Sequence, residues 1–286
     1  MQINNESKVM GIIGNPVDHS LSPLMHNRTL ERLGLNYVYL PFLVAPEQLG
    51  EAVLGVRALN MVGVNVTIPY KEAVIKYLDG LSAEARACGA VNLIKNESGR
   101  LIGYNTDGKG FMASLEEEEI KYINNALIIG AGGAARSLVY ELAVSGVPLI
   151  NILDVDQDKA LELAQFVSKV HRSGATGARM SDDLFANLSQ NADLIVNCTP
   201  VGMPPHVDRS PVASLHKAQH IAVVCDLIYN PFTTAFLSMA RARRLKTMNG
   251  LSMLVHQGAL TLKILTGAAA PISYMKEVVL NSFKRQ

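Results

Sequence analysis

The stretch Ala126-Leu-Ile-Ile-Gly-Ala-Gly-Gly-Ala-Ala135 decides the fold of this chain. Its four apolar residues predict a buried strand, its glycines predict a tight turn, and Arg136 to Ser145 predict a helix. Such a turn lets the backbone approach a pyrophosphate, whose charge then faces the free N–H groups of the helix N-terminus. A second strand, Leu149 to Leu153, ends at Asp154, 24 residues after Gly130. That spacing is close to the ~20 residues expected before a carboxylate that holds ribose hydroxyls. The sequence therefore predicts a Rossmann-type nucleotide-binding domain.

On both sides of this stretch, short apolar runs alternate with helical patterns, which predicts an α/β fold with mainly parallel sheets covered on both faces. Ser22 and Pro23 predict the start of the first helix, with Ser22 as its N-cap. The predicted strands lie at 9–14, 37–44, 63–68, 193–197, 221–226 and 245–247, with a hairpin at 90–94 and 101–104. The other predicted helices lie at 46–59, 71–78, 82–88, 107–120, 157–170, 232–243, 251–265 and 271–284.

Composition limits the classes of function. A chain of 286 residues is long for a single core and suggests two domains. With 26 Lys and Arg against 25 Asp and Glu, the chain has no global field to hold nucleic acid or an anionic membrane. No apolar window approaches the ~18–20 residues of a membrane span, and the polar start, Met1 to Lys8, does not resemble a secretory signal. The three cysteines are far apart, which favours neither a disulfide framework nor a zinc site. We therefore expect a cytoplasmic protein with no bound metal and a small-molecule ligand.

Several polar residues stand where a plain scaffold would not need them. Ser20 and Ser22 precede a helix start, where hydroxyl donors suit a carboxylate, although capping alone would also explain them. Asn65 and Thr67 are two residues apart at a strand end and point to the same side. Lys71 stands at the start of a predicted helix, where the helix dipole favours loss of its proton, although a surface position would also explain it. Further polar groups lie at strand ends, where α/β folds place ligands: Asn92 and Asn105-Thr-Asp107-Gly.

These segments resemble the shikimate dehydrogenase family, including its quinate/shikimate branch. The resemblance runs in order from about residue 9 to about residue 284. The matching motifs are Gly14-Asn-Pro-Val-Asp-His-Ser-Leu-Ser-Pro23 with His26-Asn27, Asn65-Val-Thr-Ile-Pro-Tyr-Lys71, Gly89-Ala-Val-Asn92, Gly103-Tyr-Asn-Thr-Asp-Gly108, Gly130-Ala-Gly-Gly-Ala-Ala135, Asn197-Cys-Thr-Pro-Val-Gly-Met203, Asp226-Leu-Ile-Tyr-Asn-Pro231 and Asn249-Gly-Leu-Ser-Met-Leu-Val-His-Gln257.

The resemblance implies an enzyme, a dehydrogenase that interconverts 3-dehydroshikimate and shikimate with a nicotinamide cofactor in aromatic amino acid biosynthesis. It also implies an N-terminal α/β substrate domain and a Rossmann domain, with the active site in the cleft between them. We expect the substrate domain at 1–106, completed by C-terminal helices at 248–286, and the nucleotide-binding domain at 107–247.

The same resemblance assigns roles to individual residues. Lys71 and Asp107 would form the catalytic pair. Ser20, Ser22 and Tyr229 would bind the substrate carboxylate. The ring hydroxyls would be bound by Asn65, Thr67, Asn92 and Gln257. The cofactor pyrophosphate would meet Gly130, Gly132, Gly133 and Ala134, and the nicotinamide side would lie near Thr199, Ile228 and Gly250.

Cofactor choice depends on the end of the second Rossmann strand. Many NADP-using relatives carry an Asn-Arg pair there, whose arginine meets the 2′-phosphate, whereas this chain has Asp154-Val155. Asp154 would accept hydrogen bonds from a free ribose diol and repel a 2′-phosphate. We therefore predict NAD as the preferred cofactor and NADP as disfavoured.

Two other functions remain open from the sequence. The first is a quinate/shikimate dehydrogenase that uses NAD in quinate catabolism, and the pocket around Ser20, Ser22 and Thr67 would decide it. The second is a noncatalytic nicotinamide-binding sensor, which would be expected to lose the lysine–aspartate pair that this chain retains. A monomer and a homodimer are both compatible with the sequence.

Overall fold

The computed structural model describes residues 3–170 and 173–284. The chain divides into two compact units, Met1–Gly110 with Leu254–Gln286, and Phe111–Met253. Each unit is built on its own six-stranded sheet.

The first unit has a mixed sheet. Its strands are β1 (Lys8–Gly14), β2 (Tyr37–Leu43), β3 (Gly63–Val66), β4 (Gly80–Leu81), β5 (Leu93–Glu97) and β6 (Arg100–Tyr104). They are ordered β2-β1-β3-β5-β6-β4. The β1 strand is parallel to both of its neighbours, whereas β5 is antiparallel to β3 and β6. The predicted hairpin is therefore confirmed, with Glu97 paired to Arg100 at its turn.

The helices that lie wholly or partly in this unit come next. They are α1 (Ser22–Arg32), α2 (Leu49–Ala58), α3 (Ala83–Cys88), α4 (Asp107–Glu117), α9 (Leu251–Thr266) and α10 (Ile272–Phe283). The boundaries between the two units fall within α4 and at the first turn of α9. The chain leaves β6 through Asn105 and Thr106, so two polar residues separate the strand end from Asp107, the first residue of α4.

Two local predictions in the first unit are wrong. Ser22 does not cap α1, because the helix begins at Ser22 itself and the N-cap position is Leu21. Proline is tolerated throughout the first helical turn, so Pro23 did not fix the first residue. The predicted helix 71–78 is a short 3-10 helix, Ala73–Tyr77, and Lys71 precedes it. The Lys71 carbonyl accepts the Val91 N–H at 2.7 Å instead of a bond from the next helical turn.

The second unit has an all-parallel sheet. Its strands are β7 (Asn125–Ile129), β8 (Leu149–Asp154), β9 (Gly174–Arg179), β10 (Leu194–Asn197), β11 (Val223–Asp226) and β12 (Lys246–Met248). Its remaining helices are α5 (Gly133–Val144), α6 (Gln157–Val170), α7 (Asp182–Ser189) and α8 (Ala235–Ala242). The order β12-β11-β10-β7-β8-β9 is the doubly wound Rossmann order. The predicted α/β class is confirmed.

The central strands of the second unit are buried, and their carboxyl ends lie side by side. Ala126 and Ile128 of β7 pack into one apolar cluster, and Leu127 and Ile129 pack into another, so the strand is buried on both faces. Its neighbours β8 and β10 are in register with it, with Leu153 and Asn197 beside Ile129. The carboxyl ends of the central strands therefore meet at one edge, where α/β proteins place ligands. Within the described ranges, no helix has the length and apolarity needed to cross a membrane.

Candidate active site

A buried ion pair lies at the start of α4 in the first unit. The Lys71 Nζ donates to Asp107 Oδ2 at 2.6 Å, and the two side chains are only 16% and 6% exposed. Asp107 is the first residue of its helix, where the helix dipole favours a negative charge. Its other oxygen, Oδ1, accepts from Asn92 Nδ2 at 2.8 Å. The aspartate is therefore held by a lysine on one oxygen and by an amide on the other.

Asn92 connects this pair to two further elements. Its Oδ1 accepts the Thr106 N–H at 2.8 Å, and its Nδ2 lies 2.8 Å from Thr106 Oγ1. The same Nδ2 lies 3.5 Å from Oε1 of Gln257, which α9 contributes. The structure thus brings together four of the predicted residues, and adds Thr106. That threonine lies inside a motif singled out from the sequence, but the motif did not indicate that its hydroxyl faces Asn92.

Asn65 extends the same buried polar cluster. Its Nδ2 donates to the Asn92 carbonyl at 3.0 Å and to Thr261 Oγ1 at 3.2 Å. Its Oδ1 accepts from the Tyr39 hydroxyl at 2.7 Å, which fixes the orientation of the amide. Tyr39 and Thr261 are fully buried and were missed by sequence reasoning. The only signal available for them is a polar side chain on an otherwise apolar strand or helix.

The candidate carboxylate ligands do not all lie in one unit. Ser20 and Ser22 belong to the loop after β1 and the start of α1, and Ser20 Oγ accepts the Ser22 N–H at 3.3 Å. Thr67 follows β3 close to Gly14, at which an added Cβ would collide with the Thr67 methyl group. Both serines and Thr67 are therefore carried by neighbouring strand ends of the first unit. Tyr229 follows β11 in the second unit and is half-buried there.

The glycine turn of the second unit offers free backbone donors. Gly130 has a φ of +100° and α5 begins at Gly133, with Gly132 as an N-cap that has no side-chain hydrogen bond. The first N–H groups of an α-helix have no acceptor within the helix. Gly132 is exposed, and an added Cβ there would meet no atom within 4 Å. The turn, with Ala134 in the first helical turn, fits a pyrophosphate.

Asp154 makes two hydrogen bonds within the second unit. Its Oδ2 accepts the Ala131 N–H of the glycine turn at 2.7 Å, and its Oδ1 accepts the Asp156 N–H at 2.9 Å. Both carboxylate oxygens therefore hold backbone groups of the second unit. The carboxylate stabilises the turn, and its charge is partly balanced by these two donors.

Thr199, Ile228 and Gly250 are linked by one buried network. The Thr199 N–H and hydroxyl both donate to Asn197 Oδ1, at 3.0 and 2.6 Å. Asn197 Nδ2 and the Ile228 N–H donate to Asp226 Oδ1 at 3.0 and 3.1 Å. The Gly250 N–H then donates to the Ile228 carbonyl at 3.1 Å. Sequence reasoning placed Asn197 and Asp226 inside motifs but assigned them no role.

Burial raises the pKa of Asp226 to about 6, against the lowering effect of the hydrogen bonds from Thr234, Ile228 and Asn197. Thr234 donates to the second oxygen at 2.7 Å, so both oxygens of this carboxylate are hydrogen-bonded. The network therefore fixes the loops after β10 and β11 at the carboxyl edge of the second sheet.

A unit with a buried lysine–aspartate pair and a Rossmann unit with an open glycine turn define a two-unit dinucleotide-binding α/β protein. A family model for the shikimate dehydrogenase substrate binding domain matches residues 12–94, and one for the shikimate 5'-dehydrogenase C-terminal domain matches residues 250–280. A shikimate dehydrogenase (NADP+) of Syntrophomonas wolfei is 50% identical over 286 residues, covering 100% of this chain and 99% of that relative. The chain therefore belongs to the shikimate dehydrogenase family.

Solved structures agree with this family. A shikimate dehydrogenase in complex with NADP+ is 43% identical with a TM-score of 0.90, and covers 98% of this chain and 97% of its own. A shikimate 5-dehydrogenase from Listeria monocytogenes in complex with shikimate and NAD is 34% identical with a TM-score of 0.87, and covers 98% of both chains.

The predicted preference for NAD is wrong. The relative at 50% identity is named as NADP+-dependent, and the solved structure at 43% identity holds NADP+. The physical reason is the position of Asp154, whose carboxylate oxygens accept the Ala131 and Asp156 N–H groups. The prediction treated that carboxylate as free to select a ribose diol and to repel a phosphate.

Proposed function

We propose that the protein is a shikimate dehydrogenase that interconverts 3-dehydroshikimate and shikimate with NADP(H), within the shikimate pathway of aromatic amino acid biosynthesis. The observation that carries this proposal is the buried Lys71–Asp107 pair, which Asn92 connects to Gln257. Its support is the 50% identity to a relative named for this activity.

We propose that the first unit binds the substrate and the second unit binds the cofactor. The pyrophosphate would accept N–H groups at Gly132, Gly133 and Ala134, with Gly130 allowing the turn. Thr199, Ile228 and Gly250 would form the nicotinamide side, held in place by Asn197 and Asp226. A bound nicotinamide would supply or accept the hydride.

The proton would move at Lys71. In the reductive direction, the Lys71 ammonium would donate a proton to the carbonyl oxygen of 3-dehydroshikimate, and in the oxidative direction the neutral amine would accept the hydroxyl proton. Asp107, at 2.6 Å, would hold the amine in position and accept a hydrogen bond from a neighbouring substrate hydroxyl. The low exposure of this pair strengthens its electrostatic interaction relative to water.

The remaining polar residues would orient the ring. Asn65, Thr67, Asn92 and Gln257 would bind ring hydroxyls, and Ser20, Ser22 and Tyr229 would bind the carboxylate. Asn65 has its amide already oriented by Tyr39 and Thr261, so it is a preorganised contact.

The proposed function is tested by initial rates with shikimate and with quinate, each with NADP and with NAD. Turnover of shikimate with NADP supports the proposal, and turnover of quinate alone contradicts it. Activity with both substrates would assign the chain to the quinate/shikimate branch. Absence of all four activities in folded protein would favour the noncatalytic sensor.

Replacing Ser20 or Ser22 by alanine should mainly raise the KM for shikimate and leave kcat close to the wild-type value. Carboxylate contacts are made equally in the ground state and the transition state, so their loss weakens binding without slowing the chemical step. The stability of Ser22→Ala should change little, because Ser22 does not cap α1. Calorimetry of shikimate binding checks the assignment, and wild-type affinity in both variants would show that the serines are only structural.

Replacing Gly132 by aspartate should abolish tight nucleotide binding without unfolding the protein. The position has open space for a side chain, and aspartate is a favourable N-cap for α5. Its carboxylate would occupy the place of the pyrophosphate and repel it, weakening NADP binding by roughly 10-fold or more. Fluorescence titration with NADPH measures the loss. Gly132→Ser, a neutral cap, is the matched control and should retain more affinity than the aspartate variant. Equal affinity in both variants would contradict a pyrophosphate site here.

A further inference from the structure

The end of the second Rossmann strand carries no positive charge that could bind the 2′-phosphate of NADP. A 2′-phosphate on the ribose requires a cation near the end of the second Rossmann strand, where an arginine accommodates it in NADP-binding proteins. The end of β8 and the turn after it have Asp154, Val155 and Asp156, and none of these is cationic. If the protein uses NADP, as we propose, the cation must come from another element.

Strand β9 places an arginine beside this turn. In the parallel ladder between β8 and β9, Asp154 is the register partner of Arg179, the last residue of β9. Adjacent strands lie about 4.8 Å apart, and paired residues point to the same face of the sheet. The Asp154 carboxylate on that face reaches Ala131 in the glycine turn. The Arg179 side chain therefore leaves its strand next to the edge where the turn binds its ligand.

Arg179 is also available for a ligand. It is exposed, and within the described residues no hydrogen bond or ion pair holds its guanidinium. Two other cations of the second unit, Lys159 and Arg136, lie beside carboxylates, the first at a long distance and the second in a hydrogen bond. Lys159 Nζ lies 3.9 Å from Asp156 Oδ2, and Arg136 donates to Glu162 at 2.6 Å.

We infer that Arg179 binds the 2′-phosphate of NADP, an inference that rests on the proposed use of this cofactor. The guanidinium presents paired N–H donors that match two phosphate oxygens, which a lysine at the same place could not do. It also brings a positive charge to a turn that is otherwise acidic, so the selectivity for the phosphorylated ribose is supplied by the third Rossmann strand and not by the second.

The inference is tested with nucleotide fragments, which do not require catalysis. Calorimetry would measure 2′,5′-ADP and 5′-AMP binding to the wild type, Arg179→Gln, Arg179→Lys and the control Lys159→Gln. We expect Arg179→Gln to weaken 2′,5′-ADP binding by about 10- to 100-fold, the effect of a lost charge-assisted hydrogen bond, with 5′-AMP unchanged. Arg179→Lys should recover part of the loss, and Lys159→Gln should bind both nucleotides as the wild type does.

The outcomes separate this inference from the proposed function. Unchanged 2′,5′-ADP binding in Arg179→Gln, or an equal loss for both nucleotides, overturns the role of Arg179 while the wild-type rates with NADP stand. A larger selective loss in Lys159→Gln moves the site to that lysine and also overturns it. If the wild type binds 2′,5′-ADP no better than 5′-AMP, the NADP proposal fails together with it.

Discussion

Replacing Lys71 by alanine should lower the kcat for shikimate oxidation by about 10²–10⁴-fold, the usual contribution of a positioned acid or base. The KM for shikimate should change much less, because the lost proton transfer belongs to the transition state. The buried pair with Asp107 makes this the variant with the largest expected effect on activity. Steady-state kinetics at saturating cofactor measures both constants.

Two further variants distinguish proton transfer from simple charge. Lys71→Arg keeps the positive charge beside Asp107, but an arginine does not release its proton, so kcat should stay low. Lys76→Ala removes an exposed lysine of the same segment and should leave kcat unchanged. A Lys71→Ala enzyme with near wild-type kcat, or a fully active Lys71→Arg enzyme, would exclude Lys71 as the acid and base.

The residues assigned to the site were predictable where they lie in ordered motifs at strand ends. The residues that hold them in place by hydrogen bonds could not be predicted from the sequence. Tyr39 and Thr261 lie 26 and 196 residues from Asn65 along the chain, and only the fold brings them within hydrogen-bond distance. Asn197 and Asp226 terminate neighbouring parallel strands, which a single sequence does not pair. Side chains that act through another residue therefore need the tertiary structure to be identified.

The sequence did not predict strand β9, because its residues lack the apolar pattern of a strand although the strand pairs with β8 in the folded protein. Strand β9, Gly174-Ala-Thr-Gly-Ala-Arg179, has none of the large apolar residues that indicate a buried strand, and it pairs only at the edge of its sheet. An added Cβ at Gly177 would collide with the Ala160 backbone of α6, so the glycine that weakens the strand pattern is required for packing. The same missing strand concealed the register between Asp154 and Arg179.

His26 is a buried histidine whose environment disfavours its protonated form, which the sequence could not indicate. The side chain is stacked on Tyr39 with ring centroids 4.5 Å apart, and it is 1% exposed. Within the described residues, neither ring nitrogen has a hydrogen-bond partner. Burial therefore lowers the pKa of His26 to about 4, from an ordinary value of 6.5. His26 belongs to one of the motifs that resemble the family. At neutral pH its ring is uncharged and packs as an apolar side chain, so it is unsuited to acid–base catalysis.

Lowering the pH from 7 to 4 should cost the protein about 3 kcal/mol of unfolding free energy through His26 alone. The unfolded chain binds a proton at His26 near pH 6.5, whereas the folded chain resists it until about pH 4. The unfolded state therefore holds more protons in this window, so the contribution is present above pH 6.5 and is lost as the pH falls towards 4.

Replacing His26 by phenylalanine keeps an aromatic ring against Tyr39 and removes the titrating group. Urea unfolding of the wild type and His26→Phe at pH 7, 6, 5 and 4 measures the difference, in which the other titrating groups cancel. The difference should grow in favour of the variant as the pH falls, while His19→Gln, which alters an exposed histidine, should follow the wild type. A difference that does not vary with pH would mean that His26 is protonated in the folded protein or reaches a partner there.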